Sequence, residues 1–248
     1  MSISGQGEIG KIFMFEDFLG GADIAVTDTD AIKTAAGVCG PFAVYGSLAE
    51  TDCGIVLVGK ASGYVRITGT DEDGFGLAIG TEVSLSADLN GPIVVEARVE
   101  HSALTARNSY IGLCQTLADD VAEPFGNATT TITKVAPFTG FLYSSSLTSA
   151  YWHMPYVLTA DTTQTSTNVV ASQAPVAAES DVLRLVVNKD GSAEWWINGV
   201  LEQTVGAGLA INATTLYGVL VGTFGSTTTV SDLDIDYLLV RANRDWTR

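Results

Sequence analysis

Residues 183–205 read LRLVVNKDGSAEWWINGVLEQTV, and the punctuation of this stretch decides the fold. Three runs of β-branched, aliphatic and aromatic residues are separated first by Lys189-Asp190-Gly191 and then by Asn198-Gly199. An Asn-Gly pair between such runs is the strongest short hairpin signal, because a type I′ turn needs positive φ at both central residues. Two hairpins in succession make a meander, and meanders belong to antiparallel sheets. Trp195 and Trp196 are neighbours on the middle strand, so their rings leave opposite faces of the sheet. One ring enters the core with Ala193 and Ile197, while the other shares its face with Glu194.

The same pattern continues outward. In residues 93–101 (IVVEARVEH) Val95, Ala97 and Val99 fall on one face and Glu96, Arg98 and Glu100 on the other. Residues 12–18, 63–68, 75–79, 110–115, 140–144, 216–223 and 233–241 read as further strands, separated by turns such as Asp71-Glu72-Asp73-Gly74 and Asn90-Gly91-Pro92. Helical periodicity is confined to residues 30–36. The expectation is one all-β domain over residues 1–248, an antiparallel β-sandwich. Its N-terminal segment, 1–20, forms an edge strand or arm. Residues 145–180, with the aromatic knot Tyr151-Trp152-His153-Met154-Pro155-Tyr156, form a long loop excursion.

Composition narrows the function classes. Charged residues are only 16% of the chain and hydrophobic residues 46%, too apolar for a disordered protein. The formal net charge of -16 opposes direct nucleic-acid binding, which requires a basic footprint to replace phosphate counterions. Cys39, Cys53 and Cys114 are odd in number and lack CxxC spacing, so buried thiols are expected rather than a disulfide framework or a zinc site. No stretch of about 18 apolar residues predicts a membrane span. The opening residues show no secretory leader, so the chain is expected to stay in the cytoplasm where it is made, or to leave inside something larger.

Residues 183–205 resemble the concanavalin A-like, laminin-G-type jelly roll, whose hallmark is a strand, a D-G turn, an aromatic strand ending in N-G, and a return strand. The closing DLDIDYLLVRANR (232–244) is similar to that fold's final strand, and GPIVVEARVEHSALTARNSYIGLCQT (91–116) to its E-A-R strand followed by a G-L strand. With the opening FMFEDFLG (13–20), the order is similar to that of structural proteins of tailed bacteriophages. That resemblance implies a capsid decoration (cement) protein that binds and reinforces the shell of the major capsid protein. It would be a homotrimer on the virion's capsid surface, made in the host cytoplasm, without catalysis or cofactor. The fold also hosts carbohydrate-binding domains, head- or tail-fibre receptor-binding domains and glycan hydrolases, and these stand as the alternatives. Its common ion is calcium, for which Asp71-Glu72-Asp73-Gly74 and Asp119-Asp120 are the candidate turns.

Two sets of side chains carry these readings. Asp232, Asp234 and Asp236 alternate, so all three are expected on one strand face. Paired carboxylates about 5–5.5 Å apart are what a retaining glycosidase needs, and the same oxygens suit a metal. The competing reading is a solvated strand face whose charge discourages edge pairing. Trp195, Trp196, Tyr151, Trp152, Tyr156 and Trp246 are the candidate interface, since exposed aromatics anchor protein contacts and also stack on sugars. The two histidines, His101 and His153, accompany no G-x-S-x-G elbow. Nucleophilic catalysis is therefore not expected.

Overall fold

The computed structural model describes residues 10–19, 38–46, 53–69, 76–115, 125–134, 137–156, 163–165, 168–225 and 230–245. Strands dominate them. In chain order they are β1 (Lys11–Glu16), β2 (Val38–Cys39), β3 (Phe42–Gly46), β4 (Gly54–Leu57), β5 (Val65–Thr68) and β6 (Gly76–Gly80). A four-residue helix, α1 (Ala87–Asn90), precedes β7 (Ile93–Glu100), β8 (Asn108–Cys114), β9 (Phe125–Ala128), β10 (Thr131–Lys134) and β11 (Phe138–Ser144). The chain continues with β12 (Thr163–Thr165), β13 (Ser180–Val187), β14 (Ala193–Ile197), β15 (Val200–Val205), β16 (Gly218–Phe224) and β17 (Asp232–Asn243). Residues 30–36 lie outside the described residues.

An eight-stranded sheet runs β15-β14-β13-β7-β17-β5-β4, with β1 also paired to β17; a six-stranded sheet runs β11-β8-β16-β6-β3-β2. Every pairing is antiparallel. The meander closes as its turns require: Asn198 and Gly199 have φ of 51° and 81°, the left-handed values of a type I′ turn.

Alternation explains how the sheets meet. Val95, Ala97 and Val99 of β7, Leu183, Leu185 and Val187 of β13, and Trp195 of β14 face Ile111 and Leu113 of β8 and Val219 and Val221 of β16. Burying such side chains is the main favourable term holding the sandwich together. The opposite face of the six-stranded sheet is apolar too. Tyr110, Phe138, Leu142, Leu220 and Phe224 pack there against Ile132, Leu147 and Val169 from the segments beyond that sheet. Among these segments β9, β10 and β12 form a small sheet, and His153 bridges Leu142 and Val170. The chain itself therefore covers that face. The outer face of the eight-stranded sheet carries the charged residues of its strands, some partly exposed and some, such as Asp234, buried beneath their neighbours, and the candidate site lies there.

Candidate functional site on the outer face of the eight-stranded sheet

The acidic strand differs from expectation in two ways. First, β17 is last in sequence but interior in the sheet, flanked by β7 on one side and by β5 and β1 on the other. Its charges therefore guard no edge. Second, strict alternation breaks where the register with β7 shifts between Ile235 and Tyr237, a β-bulge. Asp232 and Asp234 alternate with core Leu233 and Ile235, Asp236 is the inserted residue, and Leu238 and Val240 return to the core.

The three carboxylates are held by cations from neighbouring strands and loops. Asp234 is fully buried and takes Arg66 Nε at 2.6 Å and Nη2 at 3.0 Å, with Lys60 Nζ at 2.6 Å. Lys60 also reaches Glu100 Oε1 at 2.6 Å and lies 5.1 Å from the ring centre of Tyr64. Arg98 Nη1 donates to Asp236 at 2.6 Å, and Arg107 and Ser102 reach Asp232. Burial alone pushes the Asp234 carboxyl upward. The hydrogen bonds and charges of Arg66 and Lys60 more than reverse this and hold it below the usual range. Asp234 and Glu100 are cross-strand partners that share Lys60, so their nearest oxygens are at most about 5 Å apart, close enough for the paired carboxyl groups of a retaining glycosidase. Such an enzyme also needs one carboxyl to retain a proton at working pH. Asp234 is shifted the wrong way for that.

The aromatic candidates separate into core and surface. Trp195 is fully buried, and its Nε1 donates across the sandwich to the Gly140 carbonyl at 2.8 Å. Trp152 is also buried: its ring packs against Tyr143 and His101, and its Nε1 donates to Asp181 at 2.9 Å. Neither is an interface residue, because each lies on the inward face of its segment and has its one polar atom satisfied inside the protein. Tyr156 is half-buried against Trp195 at 5.9 Å, and Tyr151 is exposed. Trp246 lies outside the described residues.

Trp196 is different. It is half-buried on the outer face, with Nε1 donating to Glu194 Oε2 at 3.2 Å. Its cross-strand partners are Arg184 on β13 and the exposed Leu201 on β15. Arg184 in turn faces Glu96 on β7, Glu96 faces Leu239 on β17, and Leu239 faces Phe15 on β1. Tyr237 Oη donates to Glu96 at 2.8 Å, and Arg184 Nε lies 3.9 Å from the same carboxylate. Alternation alone puts Glu194 on the face of the outward tryptophan, but it does not bring in Arg184 and Glu96. Glu96 and Arg184 are visibly outward on their own strands, yet nothing local says that these strands are neighbours.

Both histidines are interior. His101 Nε2 lies 2.7 Å from Ser109 Oγ, and burial, with the Arg107 charge, pushes the ring down to about 3. His153 is fully enclosed and burial pushes it down to about 4. Cys53 and Cys114 are buried and form no disulfide. Among the described residues no group of three His, Cys, Asp or Glu side chains is placed to hold a metal, and the Asp71–Gly74 and Asp119–Asp120 turns lie outside them.

No protein-family model and no curated protein matches the sequence. Solved structures do match the fold. A protein of unknown function from Shewanella oneidensis MR-1 superposes with a TM-score of 0.55 at 11% identity, covering 100% of this chain and 92% of that one. The endo-1,3-beta-glucanase from Streptomyces sioyaensis gives 0.52 at 11%, covering 97% and 99%. The Emp46p carbohydrate recognition domain gives 0.51 at 10%, covering 81% and 87%. These likenesses lend no support to the phage, capsid and trimer part of the resemblance. The expectation that the chain is not an enzyme is corrected: a glucanase is built on the same fold, so the missing nucleophile motifs say nothing about glycan hydrolysis. At this identity the shared feature is the fold, and this chain is an all-β antiparallel sandwich of the concanavalin A-like jelly-roll class.

Proposed function

We propose that this chain is a glycan-binding domain whose ligand, a neutral β-linked glucan, lies on the outer face of the eight-stranded sheet against Trp196. The observation that carries the reading is the setting of that ring. A half-buried indole is bordered by the Arg184 guanidinium and the Glu194 carboxylate, and Glu96 follows one strand further along the row. The indole supplies an apolar platform for the C–H face of a sugar, and the flanking groups supply donors and acceptors for its hydroxyls. The fold supports the reading as well, since a carbohydrate recognition domain and a glucanase share it.

The test is affinity electrophoresis in gels containing soluble β-1,3-glucan, β-1,4-glucan or mannan. Wild-type protein is expected to be retarded by a β-glucan. Trp196→Ala is expected to lose at least tenfold in affinity, about 1.4 kcal/mol. Wild-type mobility unchanged in both glucan gels would refute the reading. Reducing ends released in the same mixtures would extend it from binding to hydrolysis.

A further inference from the structure

We infer, resting on the reading above, that the ligand is an extended, uncharged chain laid across the strands and held at two aromatic stations, Trp196 on β14 and the Phe13–Phe15 pair on β1. Trp196, Arg184, Glu96, Leu239 and Phe15 form one continuous row of cross-strand partners over β14, β13, β7, β17 and β1. Partners across a sheet share a face, and adjacent strands lie about 4.8 Å apart, so the stations stand roughly 19 Å apart. One or two sugar rings cannot touch both.

The second station is built like a platform. Phe13 and Phe15 alternate with Ile12 and Met14, which pack on the core, so both phenyl rings are turned outward. Their centres are 6.4 Å apart with a 28° interplanar angle, and Phe15 meets Tyr237 at 6.0 Å. Phe13 remains exposed. Tyr237 also donates to Glu96, so the aromatic cluster and the polar middle of the row are joined.

Charge selects an uncharged ligand. The chain carries a net -16, yet most acids of this face are matched locally: Asp234 by Arg66 and Lys60, Asp236 by Arg98, and Glu96 by Arg184. Glu194, beside the ring, accepts from the Trp196 indole N–H and keeps its charge. A face whose charges are largely paired gains little from a cationic polymer, and the Glu194 carboxylate and the net negative charge repel an anionic one. The face can still hydrogen-bond hydroxyls through Arg184 and Glu96.

The experiment is calorimetric titration of the full chain with β-1,3- and β-1,4-linked gluco-oligosaccharides of two, four and six residues, and with carboxymethylated β-1,3-glucan. Affinity is expected to rise at least tenfold from two to six residues for one linkage and to fall for the carboxymethylated polymer. Phe13→Ala is expected to weaken the six-residue ligand at least fivefold and leave the two-residue ligand unchanged. Trp196→Ala weakens all lengths. Phe13 is exposed, so its alanine variant is expected to melt with wild type, and a matched melting curve confirms that the loss is local. Equal affinity for two and six residues, or wild-type binding by Phe13→Ala, overturns this inference while leaving glycan binding intact. Failure of every oligosaccharide and polymer overturns both, as does a concentration-dependent dimer that Trp196→Ala dissolves.

Discussion

Asp234→Asn removes one charge and almost no volume from a fully buried position. Removing one partner of a buried ion pair typically costs about 3–5 kcal/mol, because the other charge is left uncompensated. Here the stranded groups are Lys60 and Arg66, each with 31% of its side chain exposed, and Lys60 keeps Glu100. Both can turn partly to water, which lowers the expected loss to about 2–3 kcal/mol. For a chain of this size that is a fall of roughly 4–12 °C in Tm. The assay is urea unfolding at pH 7 beside a melting curve, with reducing-end release from β-glucan measured on the same preparations. The sign of the pH effect follows from the depressed carboxyl. The stabilisation is complete above the unfolded pKa of about 3.9 and is lost as pH falls through the lower folded value. The difference between variant and wild type should therefore shrink in acid. A loss below about 0.5 kcal/mol, the range of exposed pairs, would refute the ion-pair account. Unchanged stability with abolished turnover would instead make Asp234 a catalytic group.

Three further outcomes follow from neighbouring features. Trp195→Ala should cost about 3–5 kcal/mol and Trp196→Ala under about 1 kcal/mol, a contrast measured by urea unfolding that reverses if the hairpin's faces are misassigned. Gly199→Ala should cost about 1–2 kcal/mol purely through its left-handed backbone, since a Cβ there meets nothing within 4 Å; an unchanged unfolding midpoint would contradict the type I′ turn. His101 and His153, held neutral at about 3 and about 4, bind protons more readily when unfolded. Their contribution is therefore complete above about pH 6.5 and falls as pH drops from there toward the folded values. His153→Leu should flatten the decline of stability between pH 6 and 4, and an unaltered slope would show that His153 is not enclosed.

Much of the fold was legible because its signals are local. The Asn198-Gly199 turn, the alternation in β7 and the paired tryptophans each fix one strand's faces without knowledge of its neighbours. What the sequence hid is what depends on neighbours. The order of Asp232, Asp234 and Asp236 predicts a common face, but the bulge at Asp236 is set by pairing with β7. The surrounding cations come from Lys60, Arg66, Arg98 and Arg107, in three separate stretches of chain. The same limit applies to the aromatic knot. Trp152 reads as surface because its segment lacks periodicity, yet it is buried because that segment folds back on β11, with His153 bonded to Leu142. Likewise Phe15, Glu96 and Arg184 form one row with Trp196 only after the sheet is assembled.

The central claim is that glycan is held at Trp196 on the outer face of the eight-stranded sheet. Calorimetric titration of soluble β-1,3-glucan and β-1,4-glucan into wild type and Trp196→Ala tests it most directly. Saturable binding of one glucan by the wild type, with at least a tenfold loss in the variant and a melting temperature within about 4 °C of wild type, is the predicted result. Binding of equal strength by both proteins, or heat of dilution alone from the wild type with both glucans, would contradict it.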